Sequence, residues 1–115
     1  MSFTHLVIAR EPVVTIALYG ELIDRSEGNE FMHVIDTMME EGHNKFILEL
    51  SELKYMNSTG LNILINLLTK TRKNGGDLVI SGISKKVKEL LIITKLNSVF
   101  TVTDTTEEAV ARFNS

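Results

Sequence analysis

Short apolar segments rich in β-branched residues alternate along this chain with longer segments in which apolar positions recur every three or four residues. The first two short segments, THLVIA (residues 4–9) and VVTIALYG (residues 13–20), are typical of β-strands. Only three residues, ending at Pro12, connect them, so we expect the pair to be antiparallel. Three further runs are predicted to be buried strands: KFILEL (residues 45–50), LVISG (residues 78–82) and VFTV (residues 99–102).

The first two longer segments have the 3.6-residue period of amphipathic helices. In the first segment, Asp24 and Glu27 have the spacing of a capping box, and Gly42 is a suitable C-terminal stop. The second helix is predicted to span residues 58–73. The apolar faces consist of Phe31, Val34, Ile35 and Met38 in the first helix, and of Leu61, Leu64, Ile65 and Leu68, widened by Ile63 and Leu67, in the second.

Two shorter helices are predicted nearer the C-terminus. Ser84 can cap the third helix, which carries Val87, Leu90, Leu91 and Thr94. Asp104 and Glu107 repeat the capping-box spacing at the start of the fourth helix. Val110 and Phe113 are the apolar anchors expected for that helix.

The elements follow one another in the order β-β-α-β-α-β-α-β-α, which indicates the α/β class. We expect residues 1–115 to form a single domain with a central, mostly parallel sheet of about five strands and about four helices. The first strand pair is the antiparallel exception. Six residues are predicted to lie in the core: Leu48, Leu50, Leu64, Leu68, Val79 and Leu91.

Composition excludes several classes of function. The formal net charge is −3, whereas nucleic-acid binders usually carry a basic surface, so no nucleic-acid partner is expected. The chain has no cysteine, which excludes disulfides, thiolate metal sites and cysteine nucleophiles. No basic region precedes an apolar run at the N-terminus, and no apolar stretch reaches the length of a membrane span. We therefore expect a cytoplasmic protein that makes no membrane contact.

A cluster of small polar residues, Asn57 to Gly60, stands at the start of the second helix. Either Asn57 or Ser58 can be the N-cap. Gly60 is not explained by capping, because glycine in a first turn costs up to about 1 kcal/mol relative to alanine. It allows another backbone segment, or a bulky anion, to come close. Helix N-termini also favour negative charge, so a phosphate on Ser58 could be accommodated there. Capping is what serine and asparagine usually do at this place, and the cluster is suited to a switch as well as to a cap.

Other candidate chemistry finds no support in the sequence. A catalytic Ser58 would need a nearby base, but the G-x-S-x-G motif is absent and nothing in the sequence gathers His5, His33 and His43 around it. No histidine pair has metal-site spacing, and no glycine-rich phosphate loop is present. We expect no enzymatic activity, no metal and no cofactor.

Three stretches of the chain resemble one known family. FILELSELKYMNSTGLNIL (residues 46–64) is similar to the signature of the STAS domain of bacterial anti-sigma factor antagonists, in which a strand and D-L-S are followed by M-D-S-[ST]-G-L. YGELI (residues 19–23) resembles the G-E-L-D that ends the family's second strand. LLIITKLNSVFTVTDTTEEAV (residues 90–110) is similar to the family's C-terminal pattern. The resemblance covers nearly the whole chain.

The resemblance implies a regulatory function. In this family, an anti-sigma factor that is also a serine kinase phosphorylates the serine that corresponds to Ser58. The unphosphorylated antagonist binds the anti-sigma factor and releases the sigma factor, and a serine phosphatase reverses the modification. The expected partners are therefore that kinase and that phosphatase. The expected contact surface comprises Met56, Asn57, Ser58, Thr59, Gly60, Asn62 and Asn66.

Several positions depart from the family pattern. Asn57 replaces an aspartate, which removes a negative charge beside Ser58. Glu49 replaces the aspartate of the D-L-S strand, which is a mild change. The acid of YGELID comes one residue late, at Asp24. Lys95 replaces a glycine, and it would be strained if that position has a positive φ angle.

Two alternatives to the antagonist function remain open. The chain could be a STAS scaffold or sensor subunit that binds a nucleotide or another small ligand and is never phosphorylated. A serine hydrolase that uses Ser58 is the third hypothesis. Phosphorylation of Ser58 by an endogenous kinase separates the antagonist from the sensor.

Overall fold

The computed structural model describes residues 3–114 and contains a mixed sheet with four helices. The strands are β1 (Phe3–Ala9), β2 (Val14–Leu22), β3 (Lys45–Leu50), β4 (Leu53–Met56), β5 (Asp77–Ile83) and β6 (Thr101–Thr103). The helices are α1 (Arg25–Glu40), α2 (Ser58–Lys73), α3 (Lys85–Ile93) and α4 (Thr106–Asn114). The predicted α/β class and the predicted helices are confirmed.

The sheet has the strand order β1-β2-β3-β5-β6. β1 and β2 form the expected antiparallel hairpin, and every other pairing is parallel. β4 was not predicted. It pairs with the C-terminal part of β2, whereas β3 pairs with the N-terminal part. A tight turn joins β3 to β4, and the Glu49 carboxylate accepts hydrogen bonds there from the Ser51 backbone N–H (2.7 Å) and hydroxyl (2.8 Å).

One face of the sheet packs against α1, α2 and α3 and forms the main core. Alternate strand residues such as Ile16, Leu48 and Ile80 point into it, as the two-residue period of a strand requires. Five of the predicted core residues belong to this cluster, and the sixth, Val79, lies on the opposite face of the sheet. All six are at most 4% exposed, so the core prediction is confirmed.

Helix α4 covers part of the opposite face of the sheet. Its fully buried residue is Ala109, which packs on Ile47 and Val79, while the predicted anchors Val110 and Phe113 are only partly buried there. The predicted Asp104–Glu107 capping box is wrong by one residue. The cap is formed by Thr105 and Glu108, whose side chains each accept a hydrogen bond from the other's backbone N–H at 3.1 Å.

The cap of α1 is the predicted Asp24. Its carboxylate accepts hydrogen bonds from the backbone N–H groups of Ser26 (2.7 Å) and Glu27 (3.4 Å), and from the Ser26 hydroxyl (2.7 Å). The capping box is not reciprocal, because the Glu27 carboxylate accepts from the Phe3 backbone N–H at 3.2 Å and so ties α1 to β1. Gly42 has a φ of 101°, which agrees with its predicted position after the end of α1.

Candidate functional site

The start of α2 resolves the choice between two possible caps. Asn57 is the N-cap, with an extended backbone, and its side-chain oxygen accepts a hydrogen bond from the Gly60 backbone N–H at 3.1 Å. Ser58 is the first residue of the helix, and its side chain is exposed. Its hydroxyl forms no hydrogen bond with any other residue between 3 and 114. The capping function and the free hydroxyl therefore belong to two different residues.

Gly60 permits a close approach of backbone. A Cβ atom at this position would overlap the carbonyl oxygen of Leu22, at the end of β2, and would lie 2.9 Å from the Cβ of Met56. The group that approaches Gly60 is therefore a backbone carbonyl, the first of the two possibilities raised by the sequence. The absence of a side chain lets α2 begin directly against the β2–β4 pair, where Leu22 pairs with Met56.

A cleft of about 430 Å³ lies between α1 and α2 beside this helix start. Its walls are Arg25, Asn29 and Met32 from α1, and Thr59, Asn62, Ile63 and Asn66 from α2. Arg25 is the one charged residue among these lining residues. The cleft therefore combines one cation, three amides, one hydroxyl and two apolar side chains, and it lies at the carboxyl edge of the parallel strands, where ligands often bind in α/β proteins.

Two contacts hold the walls of the cleft together. Gly28 of α1 lies so close to Ile63 of α2 that a Cβ atom at residue 28 would overlap the end of the isoleucine side chain. Farther along the two helices, the Lys70 ammonium of α2 lies 3.1 Å from the Asp36 carboxylate of α1. This ion pair is partly exposed and is worth about 0–1 kcal/mol, so the packing at Gly28 matters more for the shape of the cleft.

The residues predicted for the contact surface divide by exposure. Ser58, Asn62 and Asn66 are exposed, and Asn57 and Thr59 are partly exposed. Met56 is 1% exposed and Gly60 is buried, so these two support the surface from below in this conformation and do not face outward. The structure therefore brings five of the seven predicted residues to one outer surface.

Sequence reasoning missed the contribution of α1 to this surface. Arg25 and Asn29 are four residues apart, and both are exposed on the side of α1 that faces α2. The signal was present, because polar residues at i and i+4 share a helix face. The sequence alone did not show that this face lies opposite Asn62 and Asn66.

The histidines lie elsewhere. His5 is in β1, with its ring 5.3 Å from that of Phe31, and His33 lies on the outer side of α1. His43 follows the end of α1, and none of the three lines the cleft. Within residues 3–114 no three His, Asp or Glu side chains are grouped as a metal site would require. No helix in this part of the chain combines the length and the hydrophobicity needed to cross a membrane.

Comparison with known proteins identifies the family of this chain. Residues 6–109 match the profile of the STAS domain. The chain is 32% identical over 107 residues to an anti-sigma-B factor antagonist of Staphylococcus epidermidis, and this match covers 93% of the chain and 98% of the relative.

Solved structures have the same fold. An anti-sigma factor antagonist from Mycobacterium paratuberculosis superimposes with a TM-score of 0.82 at 22% identity, over 99% of this chain and 96% of that one. The unphosphorylated form of the anti-sigma factor antagonist SpoIIAA gives a TM-score of 0.79 at 23% identity, over 98% and 96% of the two chains. The phosphorylated form of the Bacillus protein SpoIIAA gives 0.71 at 22% identity, over 97% and 99%. The sequence match over residues 6–109 and the fold agree, and this chain belongs to the STAS domain family.

Proposed function

We propose that this protein is an anti-sigma factor antagonist controlled by phosphorylation of Ser58. Its unphosphorylated form binds an anti-sigma factor with serine kinase activity and thereby releases a sigma factor. The kinase then phosphorylates Ser58 and ends the interaction, and a serine phosphatase restores binding. The chain itself has no catalytic activity in this scheme. The Staphylococcus epidermidis relative, named an anti-sigma-B factor antagonist and matched over nearly its whole length, supports the assignment.

One observation carries the choice of Ser58. Its side chain is exposed and its hydroxyl has no hydrogen-bond partner in the described part of the chain, while the neighbouring Asn57 makes the capping hydrogen bond. A kinase can therefore modify Ser58 without removing the cap of α2. The structural neighbour SpoIIAA has been solved in both a phosphorylated and an unphosphorylated form, which supports a fold that tolerates such a modification.

The added phosphate would change the surface and leave the fold intact. It carries a charge of roughly −1.5 to −2 at neutral pH, and it would stand at a helix N-terminus, where negative charge is favoured. Loss of partner binding would then come from the interface. Two negative charges buried against a partner without a matching cation cost desolvation energy and repel its carboxylates.

The proposed contact surface consists of the exposed residues around Ser58 together with the cleft. It combines Asn57, Ser58, Thr59, Asn62 and Asn66 with Arg25 and Asn29 of α1. Met56 and Gly60 keep the loop and the helix start in position from beneath. This surface offers many amide groups, which can both donate and accept hydrogen bonds to a partner.

The experiment that tests this function is a phosphorylation assay. The unmodified chain is used to retain its kinase from native lysate, and the purified kinase is incubated with ATP and the chain. We expect mass spectrometry to find phosphate on Ser58 and none on the Ser58→Ala variant. Ser26→Ala is the matched control, since Ser26 is an exposed serine in the first turn of α1. Phosphorylation of Ser58→Ala at the wild-type rate would contradict the proposal.

The cleft supports a second candidate, a sensor that binds a small anionic ligand. Its volume of about 430 Å³ lies within the range of about 300–1,000 Å³ that is typical of ligand sites, and Arg25 supplies a cation. Equilibrium dialysis with ATP and GTP tests this candidate. Binding that Arg25→Ala abolishes, in a chain that no native kinase phosphorylates, would favour the sensor.

A further inference from the structure

Helix α3 and the turn after it carry a positive charge that the rest of the chain does not share. Residues 85–95 contain four lysines and one glutamate, a net charge of +3. The whole chain has a net charge of −3, so the remaining residues sum to −6. All four lysines are exposed, and none forms an ion pair with another residue in the part of the chain from 3 to 114. The charge of α3 is therefore uncompensated.

The same helix exposes large apolar side chains. Ile93 is 77% exposed, the highest value among the large apolar residues exposed between residues 3 and 114. Lys86, Glu89, Leu90 and Ile93 follow the i, i+3, i+4, i+7 spacing of one helix face. Together with Tyr55 of β4, which is 44% exposed, they line a shallow cleft of about 270 Å³. An aromatic ring and branched aliphatic side chains inside a charged rim have the composition of a protein interface.

The last lysine of this set occupies an unfavourable backbone position. Lys95 has a φ of 62°, in the left-handed region that favours glycine, directly after the Thr94 C-cap. A cation there is favoured by the dipole at the C-terminal end of α3. It also extends the basic surface past the end of the helix, at a position where glycine would fit without strain.

This surface is continuous with the start of α2. Tyr55 is the penultimate residue of β4, and Met56 and Asn57 lead from it into Ser58. β4 packs against α3 on one side and runs directly into α2. A protein that binds around Ser58 therefore has Tyr55 and the α3 face within its reach.

We propose that Tyr55, Lys86, Leu90 and Ile93, the α3 surface, form a second docking surface for the partner that acts on Ser58. Its occupant is an acidic segment of that partner with an apolar side chain, which enters the cleft while its carboxylates meet the α3 lysines. This inference rests on the proposed function, because it assigns the two surfaces to one partner. The uncompensated lysines favour an acidic occupant, and the shallow cleft beside Tyr55 together with its continuity with Ser58 favours a protein segment over a lipid bilayer.

Docking at the α3 surface has a kinetic consequence. It holds the kinase near Ser58 but does not touch the hydroxyl. Reversing the charge of the lysine on this surface with Lys86→Glu should therefore raise the KM for phosphorylation at least tenfold and leave kcat within twofold. The affinity of the unmodified chain for its partner should fall by the same factor, and the loss should shrink as salt is added.

The test begins with photo-crosslinking in native cells. A photo-reactive amino acid replaces Ile93 in one variant and Asn66, on the α2 side, in a second. A third variant carries it at Leu6, an exposed apolar position on the edge strand β1, as the control. We expect positions 93 and 66 to trap the same acidic protein and position 6 not to trap it. Titration calorimetry of that protein then compares Lys86→Glu with Lys45→Glu, which makes the same charge change at an exposed position outside α3.

Each outcome supports or overturns one of the two proposals. If position 66 traps a partner while position 93 traps nothing, a second copy of the chain or lipid, the α3 proposal is wrong and the Ser58 function stands. If position 93 traps an acidic protein that position 66 never meets, the shared-partner proposal is wrong, and the phosphorylation assay on Ser58 alone decides the proposed function. Equal affinity of both charge-reversal variants overturns the α3 surface even when both crosslinks form.

Discussion

Helices α1 and α2 begin on opposite walls of one cleft, and each has a serine in its first turn. The two serines differ in whether the hydroxyl is hydrogen-bonded to the cap residue. In α1 the Asp24 carboxylate accepts hydrogen bonds from two backbone N–H groups and from the Ser26 hydroxyl, so that serine is held beside a negative charge. In α2 the cap is the neutral Asn57, which accepts from Gly60 alone and leaves Ser58 free. Both serines are exposed.

The difference means that two equally exposed serines would meet different surroundings once phosphorylated. A phosphate on Ser26 would break the hydrogen bond to Asp24 and place two negative groups side by side. A phosphate on Ser58 would meet an uncharged amide at a helix N-terminus. In this chain the replacement of the family's aspartate by Asn57 therefore removes a repulsion that the phosphorylated state would otherwise contain.

The largest difference in stability is expected between alanine substitutions of the two glycines near the starts of α2 and α1. Gly60→Ala places a Cβ on the backbone carbonyl of Leu22, which cannot move without disturbing β2, so we expect a loss of about 1–3 kcal/mol or more. Gly28→Ala meets only the flexible end of Ile63, at about 0.5–1.5 kcal/mol for a shifted rotamer. The gain in helix propensity of about 1 kcal/mol offsets much of that smaller cost.

Urea unfolding of both glycine variants measures this difference. The variants carry the same chemical change, so each is the control for the other. Equal losses of stability would mean that the carbonyl of Leu22 does not restrict the start of α2 as described.

The contribution of the Asn57 cap to stability should be separable from that of Ser58. Asn57→Ala removes the side chain that accepts from Gly60 and should cost about 0.5–2 kcal/mol. Ser58→Ala removes a hydroxyl without a partner among residues 3–114 and should stay within about 0.5 kcal/mol of wild type. Thermal unfolding monitored by circular dichroism compares the two. A larger loss of stability for Ser58→Ala would mean that Ser58 caps α2, and it would contradict the assignment of the cap to Asn57.

Replacing the neutral cap of α2 with an aspartate, as in α1, should show how a phosphate on Ser58 affects the cap. Asn57→Asp adds a negative charge at a helix N-terminus and should raise stability by about 0.3–1 kcal/mol in the unmodified chain. After phosphorylation of Ser58 that gain should vanish, because the two negative groups are adjacent. Denaturant unfolding of both forms, with wild type as the control, measures the change. A gain that survives phosphorylation would argue against repulsion between the cap and the phosphate.

The smallest expected effect is the response of the two caps to acid. Hydrogen bonds from the Ser26 hydroxyl and from the backbone N–H groups of Ser26 and Glu27 lower the pKa of Asp24 below its ordinary value of 3.8. A lowered pKa means that the cap of α1 contributes its full stability above pH 3.8 and loses it as the pH falls through the lower folded value. Asn57 does not titrate. In NMR spectra the amide signals of Ser26 and Glu27 should shift in this acid range while that of Gly60 stays constant.

The sequence predicted the helices well because their signals are local. The 3.6-residue period and the polar cluster before it located α2 at residues 58–73, the bounds that the structure has. β4 was missed because its four residues, LKYM, are buried only at the two ends and show no alternation. The cap of α4 was misplaced by one residue because Asp104–Glu107 and Thr105–Glu108 have the same spacing. Only the hydrogen bonds of the folded chain distinguish the two pairs.

The candidate site was predicted in part for a similar reason. The residues that are contiguous with Ser58 could be identified from the chain, whereas Arg25 and Asn29 join the surface through the packing of α1 on α2 at Gly28. The sequence analysis did not identify the exposed Ile93, which lies outside the positions named for the third helix. Long-range packing decides which face of a helix is buried, and a local sequence pattern carries no information about that packing.

The most direct test of the switch is calorimetric titration of the purified kinase partner with unmodified and Ser58-phosphorylated protein. A penalty of about 3 kcal/mol at the interface would make the phosphorylated form bind roughly a hundredfold more weakly, since each 1.4 kcal/mol is a factor of ten. Ser58→Asp should show a smaller loss and Ser58→Ala none. Equal or tighter binding of the phosphorylated protein would contradict the account and make this chain a phosphate-dependent recruiter.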